Sequence, residues 1–503
     1  MRFVLRCGFP WDVIQPARYE WHDHRVGRDS LQFRTQHCNS CVHPLESFVS
    51  SVIEGFLGYN FDRSALDRIE VFMMEKKLLC VAKAFAVTVV IGSFVWNAWA
   101  TKLEGEYKFT GPPDGAYPTS GLVSDAAGNF YGATAYGGNI NKRKCPTGCG
   151  TIFKLSRNRS GVWTKTVIYK FLGGVDEDFP YGNLALDAAG NIYGTALGDQ
   201  GYTTNGTVFK LTPSQNGEWT ETTLYTFTGG TDGGSPATGV ILDSAGSLYG
   251  IAAVGGIASG VVFKLEQNDG QWIESILYSF PYGGGAYYGG LTFDAAGNLY
   301  GSLPMGGSGK CECGTVFELT PNQDGTWTES DLYTFTWGLD GARPSGGLIF
   351  DSDGNLYGGA MFGGSLACPQ VGCGIIFQLS PVAGSWKYTV LHTFNGSKGA
   401  NPSGNLAFGP TGDLYGTTLA GGDPSCTNSY GGCGTIFTLV PKEDGGFTFS
   451  MIAKFNNATG QLPASGVAID GKGTLYGTTT TGGDFECHVA GDVGCGVLFA
   501  IVP

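Results

Sequence analysis

Ten cysteines of this chain fall in five close pairs: Cys145/Cys149, Cys311/Cys313, Cys368/Cys373, Cys426/Cys433 and Cys487/Cys495. Thiols so spaced either oxidise to disulfides or hold a metal. Zinc would need more ligands, yet the gaps vary and only His392 and His488 accompany the cysteines after residue 100. In two comparable stretches both members are missing, and Asn205 and Ser259 stand at the second position. Partners that are present together or absent together behave as covalent pairs, so five disulfides and no metal are expected. Cys311-Glu312-Cys313 would make the tightest ring. Each bridge closes a small loop, so its stabilisation should stay at or below about 3 kcal/mol.

A second series is acidic. Asp125, Asp187, Asp243, Asp294, Asp351 and Asp470 each open a phrase such as "DAAGNFYG". Six carboxylates in register could serve acid chemistry or a cation. Turn chemistry accounts for them more simply, because an Asp carboxylate accepts backbone N–H groups and Gly or Asn takes positive φ.

The elements that carry both series repeat. The Tyr-Gly of that phrase returns at Tyr131, Tyr193, Tyr249, Tyr300, Tyr357, Tyr415 and Tyr476. Each copy holds four short strand-like segments; around Tyr300 they read "GGLTFD", "LYGSLP", "GTVFELT" and "TWTESDLYTF". Seven copies of four strands predict an all-β fold, a seven-bladed β-propeller with four antiparallel strands per blade. The repeat region opens on a lone fourth-strand phrase, "TKLEGEYKFTGPPDG", and stops after a third, "CGVLFAIVP". The N-terminal strand should therefore close the last blade, with the first strand of each blade innermost. Such closure removes free sheet edges, and a monomer is expected. Trp163, Trp219, Trp272, Trp327 and Trp386 each precede a Phe by eight residues (Phe171, Phe227, Phe280, Phe335, Phe394). Strand periodicity predicts that Trp and Phe share one sheet face and pack between blades.

Residues 1–73 lack the repeat and read as an over-extended gene start or a disordered tail. Residues 74–100 follow a signal-peptide plan: Lys76 and Lys77, an apolar run over 78–95, then Ala98-Trp99-Ala100. Export with cleavage after Ala100 is expected, to the periplasm, cell surface or medium; the alternative is a single membrane helix, the only membrane contact foreseen. The propeller occupies 101–503. From Thr101 onward there are 19 Lys+Arg against 33 Asp+Glu. That balance argues against nucleic acid and anionic membrane surfaces.

The combined phrase "GNLYGTT…GG…CGTVFKLT…WTETVLYTFTGG-DG" resembles the GloVer tandem-repeat family of secreted bacterial proteins, the "choice-of-anchor" proteins, over residues 103–503. The resemblance implies export and carries no established activity. The chain stops at Pro503 without a hydrophobic tail or sorting motif, which favours free secretion over anchoring.

In a four-stranded blade the Asp turns share one face with the third-to-fourth turns. The cysteine loops and the "TGGTDGGSP"-type loops share the other, and their variable lengths mark it as the binding face. Candidate ligand-binding residues there are Tyr136, Phe179, Tyr282, Tyr287, Tyr288, Trp337, Asp232, Asp340 and Arg343, with Phe362 beside them. Aromatic rings beside carboxylates suit sugars, so the expected role is a binding or scaffold module for a glycan or a cell-envelope partner, without cofactor. The alternative is a glycoside hydrolase or lyase that uses carboxylates across the central channel; a hydrolase needs only two, roughly 5 to 10 Å apart. No catalytic residue is identified.

Overall fold

The computed structural model describes residues 103–502, apart from 159–161, 175–177, 199–204, 282–288, 308–310, 366, 369–370, 427–430 and 490. Residues 1–102, on which the expected tail and signal peptide fall, lie outside the described residues. No helix occurs among the described residues.

Seven small antiparallel sheets form a seven-bladed β-propeller. The blade around Tyr300 is typical: Thr292–Phe293, Leu299–Leu303, Thr315–Pro321 and Trp327–Thr334 pair in chain order. The last blade closes as its ends require. Glu104–Lys108 pairs with Val497–Ile501, which lies beside Leu475–Thr479, itself paired with Ala468–Ile469. One element was not foreseen: a small hairpin, His488–Val489 with Asp492–Val493, inside the Cys487/Cys495 loop.

Burial follows strand position. Leu299–Leu303 is buried throughout, as is most of Thr315–Pro321, because neighbouring blades cover both their faces. The outer strand Trp327–Thr334 is half-buried or exposed throughout, alternating over its first four residues.

The repeated Tyr-Gly has a packing cause. Gly301 pairs across the sheet with Phe317, and a Cβ on Gly301 would lie 2.5 Å from the Phe317 ring. Gly132/Phe153, Gly194/Phe209, Gly250/Phe263, Gly358/Phe377, Gly416/Phe437 and Gly477/Phe499 repeat the arrangement. The missing side chain is the seat of a fully buried Phe, and full burial of such a ring is worth about 1.5–3 kcal/mol.

Seven apolar clusters lie one between each pair of neighbouring blades, and an eighth joins Met361, Leu419 and Leu462, with Phe362 packed against it. Here the expectation for Trp and Phe needs correction. Trp219 packs back on Tyr131 of the blade before it, at 6.1 Å. Phe227 packs forward on Phe263 of the blade after it, at 5.1 Å. The two therefore lie on opposite faces of one sheet. A β-bulge between Thr223 and Tyr225 adds a residue and inverts the side-chain phase, and the other outer strands carry the same irregularity. Both side chains still pack between blades.

The Asp turns are structural. Asp125 Oδ1 accepts the N–H groups of Ala127 and Asn129, each at 2.9 Å; Oδ2 accepts Asn129 Nδ2 and the Tyr131 hydroxyl. Burial opposes ionisation of Asp125, but these hydrogen bonds outweigh it and hold the carboxyl below its ordinary range. Asp187, Asp243, Asp294, Asp351 and Asp470 bind the turn N–H groups and Tyr hydroxyl in the same way.

Candidate functional site at the channel mouth

All five cysteine pairs are disulfides, with Cα–Cα distances of 5.1 to 5.7 Å, Cys311–Cys313 included. Each second cysteine also organises the next blade. The Cys149 carbonyl accepts the N–H of Phe179 at 3.1 Å, and Cys313, Cys373, Cys433 and Cys495 accept those of Arg343, Asn401, Leu462 and Tyr117. Asn205, in a blade without a disulfide, accepts that of Ser235 at 2.7 Å. The glycine that follows each of these acceptors cannot carry a side chain. A Cβ on Gly206 would meet Pro236 Cδ at 2.6 Å, and Gly150, Gly314, Gly374, Gly434 and Gly496 face the corresponding prolines.

The residues so held share one unusual conformation. Tyr117, Phe179, Ser235, Arg343, Asn401 and Leu462 all precede proline and have φ between 51° and 60°. Non-glycine residues in the left-handed region cost roughly 1–3 kcal/mol each and cluster at functional sites. Tyr117 and Leu462 line the upper part of the central channel, and the other four hold the equivalent position in their own blades. Sequence reasoning placed only Phe179 and Arg343 here. The X-Pro at six of the seven inner-strand entries was the available signal, but X varies in type from blade to blade.

Below the mouth the channel holds two chambers. The upper, about 140 Å³, mixes neutral polar groups such as Asn183, Ser403, Asn405 and Thr480 with Leu419, Leu462 and Ala464. The lower, about 400 Å³, is lined largely by Leu, Val, Ile and Ala from the inner strands. Asn183 Oδ1 accepts the Gly121 N–H at 3.0 Å and Asn405 Oδ1 that of Gly347 at 2.6 Å, tying neighbouring blades together at the waist. Among the described residues, no carboxylate, cationic side chain or histidine lines either chamber. Among the described residues, the carboxylate pair that the hydrolase alternative needs does not line either chamber. No group of three or more His, Cys, Asp or Glu is placed to hold a metal ion among the described residues.

The predicted site residues fall in separate places. Tyr136 meets Phe179 edge-on at 5.1 Å and Tyr117 at 5.6 Å, making one aromatic patch. Trp337 stacks on Phe362 at 6.0 Å, and the Arg343 guanidinium lies 5.6 Å from each ring, making a second. Asp340 accepts the Tyr333 hydroxyl and the N–H groups of Thr336 and Gly338, so it shapes the loop that presents Trp337. Asp232 does the same with Tyr225 and Thr228. Burial opposes its ionisation, yet these hydrogen bonds win and hold its carboxyl low. Across the interblade seam, burial and then the Asp232 charge push Glu274 up to about 7. Tyr282, Tyr287 and Tyr288 lie outside the described residues.

The sequence matches the Gloeobacter/Verrucomicrobia repeat over residues 93–259 and 238–493. No curated protein matches the chain. Among solved structures, a protein from Lactobacillus plantarum is similar at 15% identity, with 70% of this chain and 95% of that one covered and a TM-score of 0.42. A putative oxidoreductase (glucose dehydrogenase) from Thermus thermophilus is similar at 16% identity over 80% and 99%, TM-score 0.34. A polysaccharide lyase, ulvan lyase, solved with a bound saccharide, is similar at 11% identity over 79% and 95%, TM-score 0.46.

Proposed function

The chain belongs to the Gloeobacter/Verrucomicrobia repeat family, and on that premise we propose that it is an exported binding scaffold that holds a glycan on the cysteine-loop face, around the channel mouth. One observation carries the reading: six non-glycine residues at that mouth are kept in the left-handed region, each locked by a hydrogen bond from its own N–H to the preceding blade. Strain repeated around a rigid ring favours a functional rim. Of those side chains Arg343 is exposed and Tyr117 half-buried, while Phe179, Ser235, Asn401 and Leu462 are buried, so contact with a ligand falls to the first two and to the rings beside them. The uncharged, partly polar lining of the upper chamber among the described residues suits hydroxyl-rich ligands.

The test is a glycan microarray probed with the full chain, followed by Tyr136→Ala and Trp337→Ala. Retention of one glycan class that either change weakens by tenfold or more supports the reading. Loss on changing Asn216 or Asp324, at turns on the opposite face, contradicts it. Export is part of the same reading: the secreted chain should begin at Thr101, and N-terminal sequencing that finds residues 1–72 attached contradicts it.

A further inference from the structure

We propose that Arg343, Trp337 and Phe362 form a subsite for an anionic sugar, one whose ring carries a carboxylate or sulfate. The inference rests on the glycan-binding reading above and names the charge of the ligand.

Trp337 is the first observation. Its place in the repeat is taken by Gly111, Gly173, Gly229 and Gly396 in four other blades, all with positive φ. Trp337 keeps that conformation, with φ of 64°, despite its side chain. A bulky residue in the left-handed region is a genuine outlier. Core packing does not repay it, since 36% of the residue remains exposed.

Arg343 is the second. It too is left-handed, at φ 51°, where other blades use Tyr, Phe, Ser, Asn or Leu, so the backbone has no need of arginine. Its guanidinium lies over both Trp337 and Phe362. No hydrogen bond or ion pair engages that guanidinium among the described residues, and the residue is exposed. Two strained positions thus converge on one stack: an aromatic face, and beside it a planar cation with free N–H donors.

That combination selects its ligand. A sugar ring lays its C–H face on an indole, while the guanidinium fork takes a carboxylate or sulfate oxygen pair. A neutral sugar would leave the donors to water. The chain carries a net charge of −13 and so repels polyanions overall. Binding of an acidic polymer would therefore need a focal cation rather than a general field.

The experiment measures binding of the full chain to polygalacturonate, to dextran sulfate and to uncharged galactan at low and moderate salt. Binding to at least one anionic polymer, at least tenfold tighter than to galactan and weakened by salt, is expected. Which polymer binds identifies carboxylate or sulfate as the anion. Arg343→Gln should remove most of that preference. Trp337→Gly should lower binding tenfold without lowering the unfolding midpoint, because it restores the glycine of the other blades. Lys442→Gln, at an exposed turn on the opposite face, should change nothing. Galactan bound as tightly as the anionic polymers, or an Arg343→Gln variant that keeps the preference, overturns the anionic subsite and leaves the glycan scaffold standing. No binding to these polymers and a blank microarray overturn both.

Discussion

Substituting Gly301 by alanine tests the packing rule that repeats through all seven blades. The new Cβ would sit 2.5 Å and 2.9 Å from two ring carbons of Phe317 and 3.1 Å from Leu291 Cδ2. Carbon atoms rest at about 3.5–4.0 Å, so the ring must retreat by roughly 1 Å. It has nowhere to go: Phe317 is fully buried and meets Phe280 edge-on at 5.2 Å. Gly301 does not have positive φ, so the penalty is steric alone. Overpacking of this kind costs about 1–3 kcal/mol, and this case should lie at the upper end. Phe317→Leu alone should cost a further ~1–2 kcal/mol by leaving a small void. Combined, the smaller residue frees space for the methyl group, so the double variant should be less destabilised than the sum by ~1 kcal/mol or more. Urea denaturation followed by tryptophan fluorescence reads all three. A neutral Gly301→Ala, or strict additivity, would refute the reasoning.

Other expectations follow from the blade seams and bridges. Lys165, buried at the closing seam, pairs with Asp114 and lies 4.7 Å from the Phe109 ring centre; Lys165→Met should destabilise by about 2–4 kcal/mol and speed amide exchange in Glu104–Lys108, and unchanged exchange would contradict this. Glu274, raised to about 7 by burial and then by Asp232, binds its proton more tightly in the folded state, so its contribution is full below the ordinary carboxylate range and lost as pH rises through 7. After discounting for its partial exposure, Glu274→Gln should raise stability at pH 8 by about 1 kcal/mol and flatten the pH profile, whereas an unchanged profile would remove Glu274 as its cause. Alkylation of the denatured, unreduced chain should find none of the ten paired cysteines reactive, and reduction should speed exchange of the Phe179 and Asn401 amides, whose acceptors are Cys149 and Cys373.

The ring was legible in the sequence because its packing unit is made of invariant parts. Each blade needs a glycine beneath a phenylalanine, a tyrosine over a turn, and Gly before the third strand, so the same letters return at Gly301, Phe317 and Tyr300. The complementary ends announced the closing strand. The opposed faces of Trp219 and Phe227 were hidden, since the bulge at Leu224 changes the phase of a strand without leaving a signature residue. The mouth was hidden for a different reason. Its backbone is constant but its side chains differ, from Tyr117 to Leu462, and constancy of φ cannot be read from varied letters. Trp337 and Arg343 were visible as exposed loop residues, but not that a shared stack joins them. Asp232 and Asp340 looked available for ligand because their bonds to Tyr225 and Tyr333 cross seven residues of loop.

The central claim is that ligand meets the cysteine-loop face. Hydrogen exchange of the full chain, with and without the glycan retained on the array, addresses it directly. Protection should gather in the loop of Thr336 to Arg343 and around Tyr136 and Phe179, with the Asp turns at Asp125, Asp187 and Asp351 unaffected. Protection confined to those Asp turns, or spread evenly through the blades, would contradict the account.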